Sequence, residues 1–158
     1  MIDIPEIAIL RKLGSALDAV LVGADDARTL MGALPTDVPT FAAFGPVEST
    51  GARALLKAVE QAQDILARMF RTYLLVEQVD ISGLTARDVA NRMEKYDLLA
   101  DTRDWSDLVR LRNRLAHEYP VSATEQLDRV AQAVAAVPKL KAIRDRMLPA
   151  LRAKGYVQ

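Results

Sequence analysis

The chain has 158 residues, a formal net charge of +0, 51% hydrophobic residues and only 5% aromatic residues. This length favours one domain with one core, and an aliphatic composition favours helices. The neutral total argues against a nonspecific electrostatic nucleic-acid binder, and a chain with no cysteine cannot form disulfides, thiolate zinc sites or thiol nucleophiles, which suits a cytoplasmic location.

The first predicted helix runs from Pro5 to about Val22, because apolar residues recur there at three- and four-residue spacing. We expect Gly23 to end it and the following DDARTLM to form a short helical continuation. Charged residues interrupt this N-terminal segment, so it predicts neither a signal peptide nor a membrane span. We therefore expect a soluble protein with no membrane partner.

A loop is predicted from about 32 to 50, where three prolines and two glycines interrupt the pattern. Two aromatic residues in it, Phe41 and Phe44, are predicted to cover one end of the core. The long apolar stripe that follows predicts a central helix from about Ala52 to Gln78.

The third predicted helix lies in TARDVANRMEKYDLLA, where Thr85 or Asp88 can cap its start. Three of its residues are predicted to face inward: Val89, Met93 and Tyr96. The fourth helix, from about 104 to 119, lies in DTRDWSDLVRLRNRLAHEY and should stop at Pro120.

A last helix should open with Ser122 and a capping-box Glu125, and should bend near Pro138. The pattern predicts one all-α domain, 1–158, built as an antiparallel bundle of about five helices. Its C-terminal stretch KLKAIRDRMLPALRAKG is rich in Lys and Arg. We interpret it as a solvated helix face with cations near the C-terminal end, and an RNA-contacting surface is the alternative.

The fourth helix carries an unusual polar cluster, RLRNRLAHEYP, which contains the only histidine of the chain, His117. On a helix, Asn113 and His117 share one face, while Arg112 is offset by about 140° but long enough to reach back. Arg110 and Arg114 lie beside them. A guanidinium and an imidazole that converge in this way suit phosphate chemistry.

A structural interpretation of the same cluster stays open. A histidine in the last turn of a helix is stabilised by the helix dipole, and the arginines can pair with nearby carboxylates. The sequence has no P-loop, dinucleotide glycine fingerprint, HExxH motif or second histidine. We therefore predict no metal site and no cofactor.

The run DWSDLVRLRNRLAHEY resembles the signature of HEPN-domain proteins, and most closely that of the HepT-like branch. That motif is Arg, four residues, His, one residue and Tyr, and here Arg112, His117 and Tyr119 match it, with Asn113 at the favoured polar position. The similarity extends roughly from Tyr96 to Leu148. Pro120 and the long loop before the central helix depart from the pattern.

The resemblance implies a HEPN-like fold and a metal-independent endoribonuclease, commonly the toxin of a toxin–antitoxin pair. It implies catalytic roles for Arg112, Asn113 and His117, with Arg110 and Arg114 as RNA contacts. It also implies a possible partner, a minimal nucleotidyltransferase antitoxin that adenylylates Tyr119. The alternatives are a noncatalytic helical module that docks a nucleotidyltransferase or presents its substrate, and a structural helical protein with no ligand.

The single histidine also predicts a homodimer. Internal transesterification of RNA is most efficient with both a base and an acid, and a second imidazole can come only from a second chain. In a two-fold interface, His117, Arg112 and Asn113 would meet their copies in one cleft.

Overall fold

The computed structural model describes residues 4–158, and within this range the chain is an all-α helical bundle. This confirms the predicted fold class. The helices are α1 (Pro5–Met31), α2 (Val38–Ala42), α3 (Pro46–Val76), α4 (Ala86–Lys95), α5 (Thr102–His117) and α6 (Ala123–Ala153). No helix of the described residues is long and apolar enough to cross a membrane.

The first helix is longer than predicted, because α1 continues through Gly23 to Met31. A glycine inside a helix costs only about 1 kcal/mol, and the added turns bury Ala24, Ala27 and Met31 in the core. The helix ends instead at Gly32, whose φ of 65° is the left-handed conformation that glycine adopts readily. The prediction that Gly23 ends the helix is therefore wrong.

The segment 32–50 is also more regular than predicted. It contains α2, capped by the Asp37 side chain, and the first turn of α3, which begins at Pro46 directly after Gly45. Proline is favourable at the start of a helix because its missing N–H has no partner there. Phe41 and Phe44 contact each other edge-on at 5.5 Å between ring centroids, and both pack against the core as predicted.

The two long helices α1 and α3 are in close backbone contact at Gly51. A Cβ atom at this position would lie 2.8 Å from the carbonyl oxygen of Ala27 and 2.9 Å from Cβ of Leu30. Contacts this short do not occur between real Cβ atoms and their neighbours. The glycine therefore sets the spacing of the two helices.

The start of α4 follows the prediction, since Thr85 and Asp88 form a reciprocal capping box. Tyr96 does not face inward as predicted, because α4 ends at Lys95 and the chain turns at Asp97 with a φ of 63°. Tyr96 is 39% exposed and contacts Tyr73 only edge-on, at 5.4 Å between ring centroids.

The helix that carries the motif, α5, buries Trp105, Leu108 and Leu111. Its tryptophan packs on Phe70 of α3, at 4.6 Å between ring centroids. At the start of α6 the Ser122 side chain accepts from the Glu125 amide as predicted, but the Glu125 carboxylate accepts from Val121 rather than from Ser122. The helix α6 continues as one element across Pro138 and Pro149.

The cations of the C-terminal stretch pair with carboxylates of other segments. Lys141 contacts Asp25 of α1 at 2.7 Å, and Arg144 lies 3.7 Å from Asp18. Arg146 pairs with Asp97 beyond the end of α4. These pairs compensate part of the positive charge of the stretch, which does not favour the alternative of an RNA-contacting surface.

Candidate functional site

The motif cluster lies where α5 ends. His117 is the last residue of α5 and is exposed. Glu118 is extended, with φ −111° and ψ 122°, and the Tyr119 side chain is 87% exposed. Proline disfavours helical geometry in the residue before it, so Pro120 explains why the chain leaves the helix here. The Tyr119 phenol is therefore reachable from solvent.

A residue that the sequence analysis missed holds this helix end in place. Arg129 of α6 is only 9% exposed, and its guanidinium donates hydrogen bonds to the carbonyl oxygens of Glu118 and Arg114, the latter at 3.3 Å. It also lies 3.8 Å from the Glu118 carboxylate. The last carbonyls of a helix lack partners within the helix, and a cation stabilises them. The sequence signal was a charged residue on the apolar face of α6, directly before Val130.

A cleft of about 680 Å³ opens beside this helix end, between α2, α3, α5 and α6. Its polar lining includes His117 and Tyr119 from the motif segment, and Arg53 and Lys57 from α3. Its apolar lining consists of Phe41, Ala52, Leu56, Leu115, Ala116, Pro120 and Val130. The imidazole and the phenol therefore share one cavity with two exposed cationic side chains.

Arg112 does not line this cleft, and its guanidinium is already paired. Its Nε lies 2.7 Å from Oδ1 of Asp64, and its Nη2 lies 3.1 Å from Oδ2. These hydrogen bonds raise the pKa of Arg112 above its usual value. Arg112 points from its side of α5 toward α3 and contacts Asp64 there. It does not reach back toward His117 as expected.

Asn113 is exposed and also lies outside the cleft, with its Oδ1 3.4 Å from Nη1 of Arg112. Within one chain, the structure therefore brings Arg112 and Asn113 together, and His117 and Tyr119 together, but it does not bring all four into one cavity. The predicted convergence of Arg112, Asn113 and His117 is not found within the single chain.

Arg110 and Arg114 lie on another side of α5. They line a smaller cavity of about 240 Å³ between α5 and α6. Arg110 pairs with Asp107, and Arg114 donates to the side chain of Gln132. Neither of them faces the His117 cleft, so as RNA contacts they would act from a separate surface.

The two exposed cations of the cleft were missed because they belong to α3, far from the motif in sequence. Arg53 and Lys57 are one helical turn apart and both are exposed. Lys57 makes a loose pair with Glu60 at 3.4 Å. Among residues 4–158, Arg53 forms no ion pair.

The cleft has the groups that bind and react with a phosphate ester. A cation holds phosphoryl oxygens, an imidazole transfers protons, and a phenol can donate a hydrogen bond or be modified. In the described part of the chain, no three His, Asp or Glu side chains cluster in a way that could hold a metal ion. Comparison of the chain with protein-family models, with curated proteins and with solved structures finds no match.

Proposed function

We propose that the protein is an endoribonuclease of the HEPN type, which cleaves RNA without a metal ion. The observation that carries the proposal is the position of His117, exposed at the end of α5 and lining the same cleft as Arg53, Lys57 and Tyr119. A ribose 2′-hydroxyl would attack the adjacent phosphorus while the bond from phosphorus to the 5′-oxygen breaks. His117 would accept the proton of the 2′-hydroxyl or donate a proton to the departing 5′-oxygen. The products would be a 2′,3′-cyclic phosphate and a 5′-hydroxyl.

In this proposal Arg112 and Asn113 act from a second chain. Asn113 is exposed, and the side chain of Arg112 remains 26% exposed despite its pair with Asp64. A two-fold contact between α5 helices would bring one protomer's Arg112 and Asn113 toward the other protomer's His117. The partner's Arg112 would then stabilise charge on the phosphoryl oxygens, and Asn113 would orient the imidazole or the phosphate.

The proposal extends to regulation as a toxin. The Tyr119 side chain is exposed and lines the His117 cleft, so an adenylyl group on its phenol would place bulk and negative charge at the reacting phosphate. A minimal nucleotidyltransferase would be the antitoxin partner that adds this group.

A second function is favoured by one observation. The Asp64 carboxylate compensates the charge of Arg112, and an arginine neutralised in this way is less available to a phosphate. A noncatalytic module that docks a nucleotidyltransferase would need no free arginine. The two functions differ in turnover, since only the ribonuclease converts many RNA molecules per chain.

The decisive experiment is cleavage of a defined RNA in the presence of EDTA, with analysis of the product ends. The proposal expects a 2′,3′-cyclic phosphate and no cleavage at a single 2′-O-methyl nucleotide placed at the cut site. An RNA left intact by the purified chain would contradict the ribonuclease function. If cleavage occurs, mixing Arg112→Ala and His117→Ala chains tests the dimer, because a shared cleft restores activity that neither variant has alone.

A further inference from the structure

The cleft beside His117 has two chemically different walls. One wall, on α3, presents the exposed cations Arg53 and Lys57, and another presents apolar side chains that include Phe41 of α2. Its volume of about 680 Å³ falls within the range of roughly 300–1,000 Å³ that small-molecule sites occupy. A ligand that fills it should therefore have an anionic part and a flat or apolar part.

Three cations line the cleft: the exposed Arg53 and Lys57 lie on α3, whereas Arg129 of α6 is buried and donates to backbone carbonyls. Two carboxylates also line the cavity, but Glu118 lies 3.8 Å from Arg129, and Glu60 lies 3.4 Å from Lys57. Arg53 remains uncompensated among the described residues. In the pair of Lys57 and Glu60, the lysine side chain is 62% exposed and the glutamate side chain is 19% exposed. A partly exposed pair of this kind contributes little free energy and leaves the lysine available to a phosphate.

The apolar wall of the cleft contains an aromatic ring, that of Phe41, whose orientation is restricted by its neighbour. Phe41 is half-buried, and Phe44 packs edge-on against it at 5.5 Å between centroids, which limits the orientations of the ring. Base stacking on an aromatic side chain contributes substantially to binding of single strands and tolerates any base. A cation pair and an aromatic ring in one cavity are the elements of such a site.

We infer that the cleft binds the nucleotide next to the phosphodiester bond that is cut, with Arg53 and Lys57 on its phosphate and Phe41 against its base. This inference rests on the proposed ribonuclease function. Arg112 is held by Asp64, and the buried Arg129 donates to backbone carbonyls, so the exposed cations that the substrate meets within the His117 chain are those of α3. The ligand is single-stranded RNA, since a paired base would first have to be unpaired and unstacked, which costs free energy, before it could enter the cleft.

The test uses a fluorescent single-stranded deoxyoligonucleotide, which lacks the 2′-hydroxyl and is not cut. Its affinity is measured by anisotropy at several salt concentrations for the wild type and for R53Q/K57Q. Loss of two phosphate contacts should weaken binding about tenfold at low salt. It should also make the decline of log affinity with log salt less steep, by about 1.4 in slope. Phe41→Leu should weaken binding while leaving that slope unchanged.

The matched control is R87Q/K95Q, which removes two exposed charges of α4 outside the cleft. It should bind the oligonucleotide like the wild type, and the charge-preserving exchange R53K/K57R should keep the wild-type slope. Equal affinities of R53Q/K57Q and R87Q/K95Q would overturn the inference, as would a wild type that does not bind. The exposed positions keep the fold intact, which thermal melts verify.

Cleavage of an RNA of the same sequence separates this inference from the proposed function. A wild type that binds through Arg53 and Lys57 but never cuts RNA would support the binding site and contradict the ribonuclease. A wild type that cuts RNA, with oligonucleotide binding unaffected in R53Q/K57Q, would support the ribonuclease and contradict the binding site.

Discussion

The carboxylate of Asp64 accepts two hydrogen bonds from the guanidinium of Arg112, at 2.7 Å from Nε and 3.1 Å from Nη2. This pair joins α3 to α5 and fixes the direction in which the arginine leaves its helix. Both side chains are partly exposed, at 26% for Arg112 and 44% for Asp64, so solvent screens their attraction. The main effects of Asp64 are therefore to compensate the positive charge of Arg112 and to orient its side chain, and its contribution to the stability of the fold is small.

Replacement of Asp64 by Asn should release Arg112 and leave the fold intact. We expect the free energy of unfolding to change by less than about 1 kcal/mol, because exposed ion pairs contribute little. If Arg112 serves the substrate, Asp64→Asn should bind RNA more tightly, and Arg112→Gln should bind it less tightly. Urea unfolding and anisotropy measure both effects, with Asp26→Asn as a control for the lost negative charge. Destabilisation by several kcal/mol would show that the pair is structural.

Arg129→Met should destabilise the protein by about 2 kcal/mol, because the buried guanidinium donates charge-assisted hydrogen bonds to carbonyls at the end of α5. Urea unfolding measures the loss. The control is Arg87→Met on the exposed face of α4, which should stay within about 0.5 kcal/mol of the wild type. If the two variants unfold alike, Arg129 does not support the helix end that carries His117.

Replacement by alanine should change the stability of the protein in opposite directions at two glycines, one in α1 and one in α3. Gly51→Ala should destabilise the protein by about 1–3 kcal/mol, because the new methyl group meets the α1 backbone at Ala27. Gly23→Ala should stabilise it by about 0.5–1 kcal/mol, because it lies inside α1 with no neighbouring atom within 4 Å. Thermal unfolding of both variants measures the difference, and destabilisation of equal size would contradict the described packing of α1 on α3.

The capping box of α4 predicts a defined pH dependence. The Asp88 carboxylate accepts a hydrogen bond from the Thr85 backbone amide, which lowers the pKa of Asp88 below its ordinary value of 3.8. A lowered folded-state pKa contributes stability above the unfolded pKa, and that stability is lost as the pH falls through the folded one. Asp88→Asn should therefore be less stable than the wild type near pH 6, with the difference shrinking toward about pH 2. Urea titrations at both values test this, and a difference independent of pH would contradict it.

The helices other than α2 were predictable because each buries one face at helical spacing, as Leu55, Leu66 and Leu111 show by their burial, whereas α2 buries no residue. Helix ends were less predictable. Gly23 is tolerated because the residues after it are buried, and the prolines at 39 and 46 start helices rather than excluding them. For Gly23, tertiary packing outweighs the low helix propensity of glycine. For the two prolines, a position in the first helical turn removes the penalty that proline has inside a helix.

The candidate site was predictable only in part. The motif segment is local in sequence, and the last turn of α5 does present His117 with Tyr119 beyond it. Asp64, which pairs with Arg112, lies 48 residues away on α3, and the exposed cations of the cleft, Arg53 and Lys57, lie on the same helix. Such neighbours follow from how α3 packs on α5, which no spacing within the motif specifies.

If His117 transfers protons during RNA cleavage, as proposed, cleavage depends on its imidazole, and the cleavage rate of His117→Ala measures that dependence. We expect a rate at least about 100-fold below that of the wild type, with unchanged circular dichroism. Val121→Ala, at an exposed position four residues further along, should cleave at the wild-type rate. Cleavage by His117→Ala at the wild-type rate, with the same product ends, would show that His117 is not the group that transfers the proton.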